Sequence, residues 1–432
     1  LLLLLFCTVA RADKGPHTIG YYSTWTQKAT EAVGFSKYTH VIIAFAEPHP
    51  DGTFAVADFD VPDAVSKINK DGAHALVSIG GWSYSGNFST IMATSDLRTT
   101  FAKNIVDYVE LNKLAGIDID WEFPGSNAGD EGNTVDEAND TINYLTFLQE
   151  LRKLLDSKFP NNRKLIMMAV GAQPFCVNGA PMTDLSEFAQ VVDYANLMLY
   201  DFYGSFSETS GPNAPLSGPG NSVKSVIKTW TDAKWPAAQL IAGFAFYGHS
   251  FLLSSHPADI STNQIQPKSS TIPQGGKSDT ESPHSGVWQY NNLRTDILSS
   301  ATTANAPWVR YWDNTSMTPY LYNKETCVLI SYDDPESIQA KVQYAVEAGI
   351  PGGMVWTIDM DCHHELLDVV SAWQSTNGSS IDKQRIRNNA RKQRIRNNAR
   401  KQRIRNNASK QRVSYNSREQ RPIYINSQYY FY

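Results

Sequence analysis

The spacing of short apolar runs restricts the fold of this 432-residue chain more than any other feature. Between residues 13 and 374, runs rich in β-branched and aliphatic residues alternate with amphipathic stretches. The eight runs are "HTIGYY" (17–22), "HVIIAFA" (40–46), "ALVSIG" (75–80), "GIDIDW" (116–121), "KLIMMAV" (164–170), "YANLMLY" (194–200), "LIAGFAF" (240–246) and "GGMVWTI" (352–358). That alternation predicts parallel strands joined by helices. The amphipathic stretch with the plainest boundaries is "DPESIQAKVQYAVEAG". Asp334 suits its N-cap, Pro335 its first turn and Gly349 its stop, with Ile338, Val342 and Val346 on one face. Eight β/α units favour closure into an α/β (β/α)8 TIM barrel over an open doubly wound sheet.

One interval breaks the rhythm. The stretch between the seventh and eighth runs is far longer than the handful of residues a strand-to-helix connection takes. Residues 247–332 are rich in Ser, Pro and Gly yet carry Trp288, Tyr290, Trp308, Tyr311, Trp312, Tyr320 and Tyr322, too many large aromatics for a disordered loop. They are expected to form a small α+β insertion subdomain on the rim, leaving 13–246 and 333–375 as the barrel.

The two ends differ from this body. "LLLLLFCTVARA" (1–12) is an apolar run too short to span a bilayer and ends in a small-residue pattern that suits a secretory signal peptide, so the expectation is an exported, extracellular protein. Residues 383–432 repeat "KQRIRNNAR" with decay and hold 15 Lys and Arg against the single acid Glu419, although the whole chain has net charge −5. A tail (376–432) of that composition is expected to be disordered. Its counterpart is a strongly acidic body, which argues against nucleic acid or an anionic membrane as partner of the main domain. Export would permit one disulfide among Cys176, Cys327 and Cys362, with Cys327–Cys362 preferred because their segments flank one helix. Asn87, Asn139, Asn314 and Asn377 stand in glycosylation acceptor triplets.

The chemistry concentrates in the fourth run. On a strand, Asp118, Asp120 and Glu122 share one face while Ile117, Ile119 and Trp121 take the other. The isoleucines suit the helix layer, which sends the acids into the lumen, and Pro124-Gly125 end the strand with Glu122 at the C-terminal edge, where barrel active sites lie. Three buried carboxyls about 7 Å apart repel one another and resist ionisation, so at least one keeps its proton. A neutral carboxyl near the open end is what a general acid requires, and Glu122 is placed for it. A hard-cation site would need a second cluster of ligands nearby in sequence, which is missing, so neither metal nor cofactor is expected.

"GIDIDWE" followed by "FPG" resembles the signature of glycoside hydrolase family 18, the chitinases and chitinase-like lectins. "GYYSTW" (20–25), "SIGGW" (78–82), "MLYD" (198–201), "FYGHSF" (246–251) and "GGMVW" (352–356) agree with it in order, over roughly residues 16–374. The resemblance implies an enzyme acting on chitin or chito-oligosaccharides, β-1,4-linked N-acetylglucosamine, with retention through the substrate's own acetamido group, and the protein is expected to be a monomer. It lies among the exceptions to the two-carboxylate scheme. It implies that Glu122 protonates the glycosidic oxygen, that Asp120 orients the acetamido group, and that Asp118 pairs with Asp120. Tyr200 would hydrogen-bond the acetamido oxygen beside Met198 and Asp201, with Trp356 as the floor. Tyr21, Trp25, Trp82 and Trp121 are candidates to line or support the cleft, although alternation points Trp121 outward.

The chain departs from that pattern at Ala115, where an acid usually precedes the glycine. Remote from the reacting sugar, it is expected to affect stability or rate mildly. Intact Glu122, Asp120 and Tyr200 favour an enzyme over a lectin of the same fold, and the aromatic insertion favours a long polymer over a glycoprotein glycan.

Overall fold

The computed structural model describes residues 16–26, 34–130, 132–277, 279 and 284–373. The expectations for the apolar leader, the basic tail and the Asn377 acceptor lie outside them. The described residues all belong to one compact unit that ends at Gln374.

Seven parallel strands follow in order: β1 (His17–Ser23), β2 (His40–Pro48), β3 (His74–Gly80), β4 (Gly116–Asp120), β5 (Leu165–Val170), β6 (Tyr194–Leu197) and β7 (Leu240–Ala245). Five antiparallel strands come next: β8 (Tyr247–Leu252), β9 (Val287–Gln289), β10 (Trp308–Asp313), β11 (Thr318–Asn323) and β12 (Val328–Ser331). The chain then returns to the barrel in β13 (Gly352–Trp356). Each barrel strand pairs with the next, and β13 pairs with both β7 and β1, so eight strands close on themselves.

Strand alternation divides the core into two layers. Outward residues such as Val77, Ile79, Ile117, Ile119, Ile166 and Met168 pack beneath the helices. Inward residues such as Ile19, Tyr21, Ile42, Leu76, Met167, Ile241 and Met354 fill the lumen. The helix Pro335–Glu347 starts as expected: the Asp334 carboxylate accepts from the N–H groups of Glu336 and Ser337 in a capping box. Its buried face carries Ile338, Val342 and Ala345, while Val346 is only half-buried.

Two strands end more than one residue sooner than expected. β6 stops at Leu197, and the chain turns at Asp201 with φ +56°. β13 stops at Trp356, and Ile358–Met360 form a 3-10 turn. Between β7 and β13, the antiparallel strands assemble in the order β9-β8-β12-β11-β10 around Phe251, Leu253, Tyr320, Tyr322 and Leu329. The sheet opens directly off the barrel, since β8 begins one residue after the expected end of the seventh run.

The expected disulfide is absent, because Cys176, Cys327 and Cys362 are all free thiols. Cys327 sits in the turn between β11 and β12 at φ +59° beside the Tyr322 hydroxyl, and Cys362 lies beyond β13 against His363. Cys327 packs against the cluster around Phe251 and Tyr320, whereas Cys362 packs against the outer barrel core, so the two occupy separate neighbourhoods. Of the described acceptor asparagines, Asn139 and Asn314 are exposed, whereas Asn87 is half-buried and donates to Pro48 O at 2.9 Å.

Candidate active site

β4 carries Asp118 and Asp120, and Glu122 follows two residues beyond its C-terminal end. Asp118 is fully buried and receives Ser78 Oγ–H at 2.7 Å, Tyr21 O–H at 2.9 Å and Asn196 Nδ2–H at 3.3 Å. Burial raises its pKa to about 6 against the opposing pull of those three donors. Asp120, one step up, is 3% exposed, and among the described residues its Oδ1 has no hydrogen-bond partner. Burial first, then the charges of Glu122 and Asp118, holds its carboxyl well above the usual carboxylate range. Glu122 is 9% exposed, and burial followed by the charge of Asp201 pushes it up to about 8. Both acids resist ionisation, and a charge on Glu122 raises the cost of ionising Asp120.

Glycines let the neighbouring strand come this close. Gly80, at φ +106°, sits where a Cβ would lie 2.2 Å from Asp120 O. Gly81 follows at φ +90°, donates to Asp120 O at 2.8 Å, and opens the 3-10 helix Trp82–Asn87 on the rim.

Above the acids lies a cleft of about 450 Å³. Its floor is Trp356, with Tyr21 at 5.4 Å and Phe45 stacked at 5.6 Å, and Trp25 stacks on Phe45 at 6.1 Å. The half-exposed Trp25, Trp82 and Tyr84 line its rim. On the far wall stand Met198, Tyr200 and Asp201. The Tyr200 hydroxyl lies 4.0 Å from Met354 Sδ, and burial, then the Asp201 charge, keeps the phenol neutral. Asp201 has no freedom: Asn213 Oδ1 accepts its N–H at 2.9 Å, Tyr247 O–H donates to Oδ2 at 2.7 Å, and His249 Nε2 hydrogen-bonds Oδ1 at 2.7 Å.

Of the residues expected at the site, Glu122, Asp120, Tyr200, Tyr21, Trp25, Trp82, Met198, Asp201 and Trp356 all line this cleft. Asp118 lies beneath it. Trp121 does not reach it: it packs in the outer core, stacked on Phe88 at 5.3 Å with its edge to Tyr144 at 5.2 Å, as strand alternation requires. Ala115 packs beside the lumen cluster at the opposite end of β4, its backbone paired to Ala75 and Leu165.

Sequence reasoning overlooked Phe45, because alternation sends it outward with Ile43. The β2–β3 register slips between Ala44 and Ala46, and that irregularity delivers Phe45 to the cleft. It also overlooked Asn196, Tyr247, His249 and Ser78. Asn196 shares the inward face with Met198 and Tyr200, and Tyr247 and His249 alternate within "FYGHSF", so the same rule of two would have found them. Among the described residues no group of three or more His, Cys, Asp or Glu side chains is arranged to hold a metal.

The profile of the Glycosyl hydrolases family 18 matches residues 17–361. The chain belongs to that family. A chitinase-like effector of Moniliophthora perniciosa is 33% identical over 81% of this chain and 85% of its own length. Chitinase A1 of Niallia circulans is 32% identical over 76% of this chain and 47% of its own length. A crystal structure of a chitinase from Rhizomucor miehei superposes with TM-score 0.76 at 31% identity, covering 83% of this chain and 100% of that one. No helix among the described residues is long and apolar enough to cross a membrane.

Proposed function

We propose that this protein is a secreted chitinase that hydrolyses β-1,4 N-acetylglucosamine linkages by a retaining, substrate-assisted route, endo-acting and monomeric. The observation that carries the proposal is the buried carboxyl of Glu122, its pKa raised by burial, lining an aromatic cleft together with Asp120. Glu122 gives its proton to the glycosidic oxygen as the C1–O bond breaks. The 2-acetamido oxygen of the same sugar attacks C1 from the opposite face and closes an oxazolinium ring. Asp120 holds the acetamido N–H and balances its positive charge, and the Tyr200 hydroxyl donates to the acetamido group from the wall. Glu122, now ionised, takes a proton from water, which opens the ring and restores the configuration.

Substrate assistance is favoured over a carboxylate nucleophile because Asp201, the acid across the wall, already has both oxygens engaged by Tyr247 and His249. Trp356 and the rim aromatics offer flat apolar faces to pyranose rings. Export rests on the leader pattern in residues 1–12. It is tested by expression in a eukaryotic host, where the medium should contain a product starting near Asp13.

A second reading, a chitin-binding lectin without turnover, is favoured by the relative named as a chitinase-like effector. One assay separates the two: incubation with the N-acetylglucosamine hexamer. Shorter oligomers released with the β-anomer in excess support the chitinase. Saturable binding without any cleavage by the intact protein would sink it and leave the lectin.

A further inference from the structure

The peptide unit that carries the acid is held from outside its own strand. Glu122 N–H donates to Ser85 Oγ at 2.9 Å, and the Ser85 hydroxyl donates in turn to Gly81 O at 2.9 Å, with Asp120 O at 3.3 Å as its other acceptor. Ser85 is 1% exposed, so no solvent substitutes for these bonds. It belongs to the rim helix Trp82–Asn87, whose preceding three residues, Trp82, Ser83 and Tyr84, face the cleft. A single hydroxyl therefore joins the surface on which a sugar ring stacks to the backbone from which Glu122 projects.

We propose that Ser85 is a positioning residue that couples loading of the aromatic rim to placement of the acid. This rests on the chitinase reading above. The rim helix is one short 3-10 segment, a kind with poorer internal hydrogen-bond geometry than an α-helix, and its two large aromatics are half in water. A polymer stacked on Trp82 and Tyr84 immobilises the helix. Through the 2.9 Å bond, that order passes to Glu122 N–H and fixes the carboxyl for in-line protonation. Remote binding is thus converted into rate at the reacting centre.

A purely structural role for Ser85 would lower stability and leave the kinetic constants of the folded fraction alone, so the test separates the two. The full chain is compared with Ser85→Ala, Trp82→Ala and the double variant on the N-acetylglucosamine hexamer, with active enzyme counted by thermal melting. Coupling predicts that Ser85→Ala lowers kcat about 10-fold or more while KM changes less than about threefold, since small misplacement of reacting groups is costly. It also predicts that Trp82→Ala lowers kcat in the parent but only raises KM once Ser85 is gone. A kcat within about twofold of the parent, or an equal Trp82 effect in both backgrounds, overturns the proposal. Should Ser85→Ala not fold, the near-isosteric Ser85→Cys carries the same comparison.

Hexamer affinity measured by titration, at a temperature where turnover is negligible, supplies an arm independent of chemistry. Losses from Trp82→Ala and Glu122→Gln that couple in the parent and become additive in the Ser85→Ala background support the link. Losses that couple equally in both backgrounds, or in neither, overturn it. A parent that binds and never cleaves refutes the chitinase reading alone, and the affinity arm still decides the role of Ser85.

Discussion

Two parts of the molecule bury carboxylates and treat them in opposite ways. Beside the helix Pro335–Glu347, Asp333 is buried against Lys341, whose Nζ lies 2.5 and 2.6 Å from its two oxygens, with Ser337 Oγ–H donating at 2.6 Å. Burial pushes Asp333 up and Lys341 down, and their mutual attraction pulls both back. On β4 the same desolvation acts on Asp118, Asp120 and Glu122, but their partners are hydroxyls, an amide and one another. Without a cation, the cheaper response to burial is to keep protons. The first arrangement is a structural ion pair, and the second is a set of carboxyls that resist ionisation.

The largest effect that could break this contrast is on rate. Glu122→Gln should lower kcat on the hexamer by about 10³-fold, within the range general acid catalysis supplies, while hexamer affinity stays within severalfold. Turnover near the parent level would remove Glu122 from the acid role.

Next in size is stability at the other site. Lys341→Met leaves Asp333 buried without its cation and should destabilise the fold by about 3–5 kcal/mol, visible in a denaturant midpoint, with kcat of the folded fraction unchanged. A neutral result would mean that Asp333 takes up a proton as readily as the β4 acids do.

The pH dependence of stability sharpens the contrast further. Because the folded pKa of Glu122, about 8, exceeds its ordinary 4.5, the stabilisation tied to its proton is complete below about pH 4.5 and lost as pH rises through 8. Glutamine never ionises. Glu122→Gln should therefore raise the melting temperature relative to the parent by an amount that grows between pH 4.5 and 8, and a flat difference would show that the carboxyl is not held neutral. The smallest effect concerns its neighbour across the cleft. Asp201→Asn removes a charge that raises the Glu122 pKa, so the alkaline limb of the kcat profile should move to lower pH, and an unmoved limb would exclude Asp201 from tuning the acid.

Much of this site was legible because its chemistry follows a local period of two. The eight strands, the inward face of Asp118, Asp120 and Glu122, and the outward face of Trp121 all come from alternation, which sterics impose residue by residue. Phe45 escaped because a register slip inverts that alternation, and a slip depends on the partner strand. The Cys327–Cys362 pairing failed for a similar reason, since proximity to one helix says nothing about which face each segment occupies.

What the sequence by itself determined is that three acids climb one side of one strand toward the open end of a barrel. Whether they would meet cations, as Asp333 does, or only hydroxyls and amides was decided by tertiary structure. Their partners Ser78, Asn196 and Tyr21 lie 40, 78 and 97 positions away and become neighbours of Asp118 only when the strands close. The grip of Ser85 on Glu122 belongs to the same class, because it spans 37 positions and exists only where Gly80 lets two strand ends meet. Strand faces follow from local sterics, whereas the dielectric and charge around a carboxyl are sums over the whole fold.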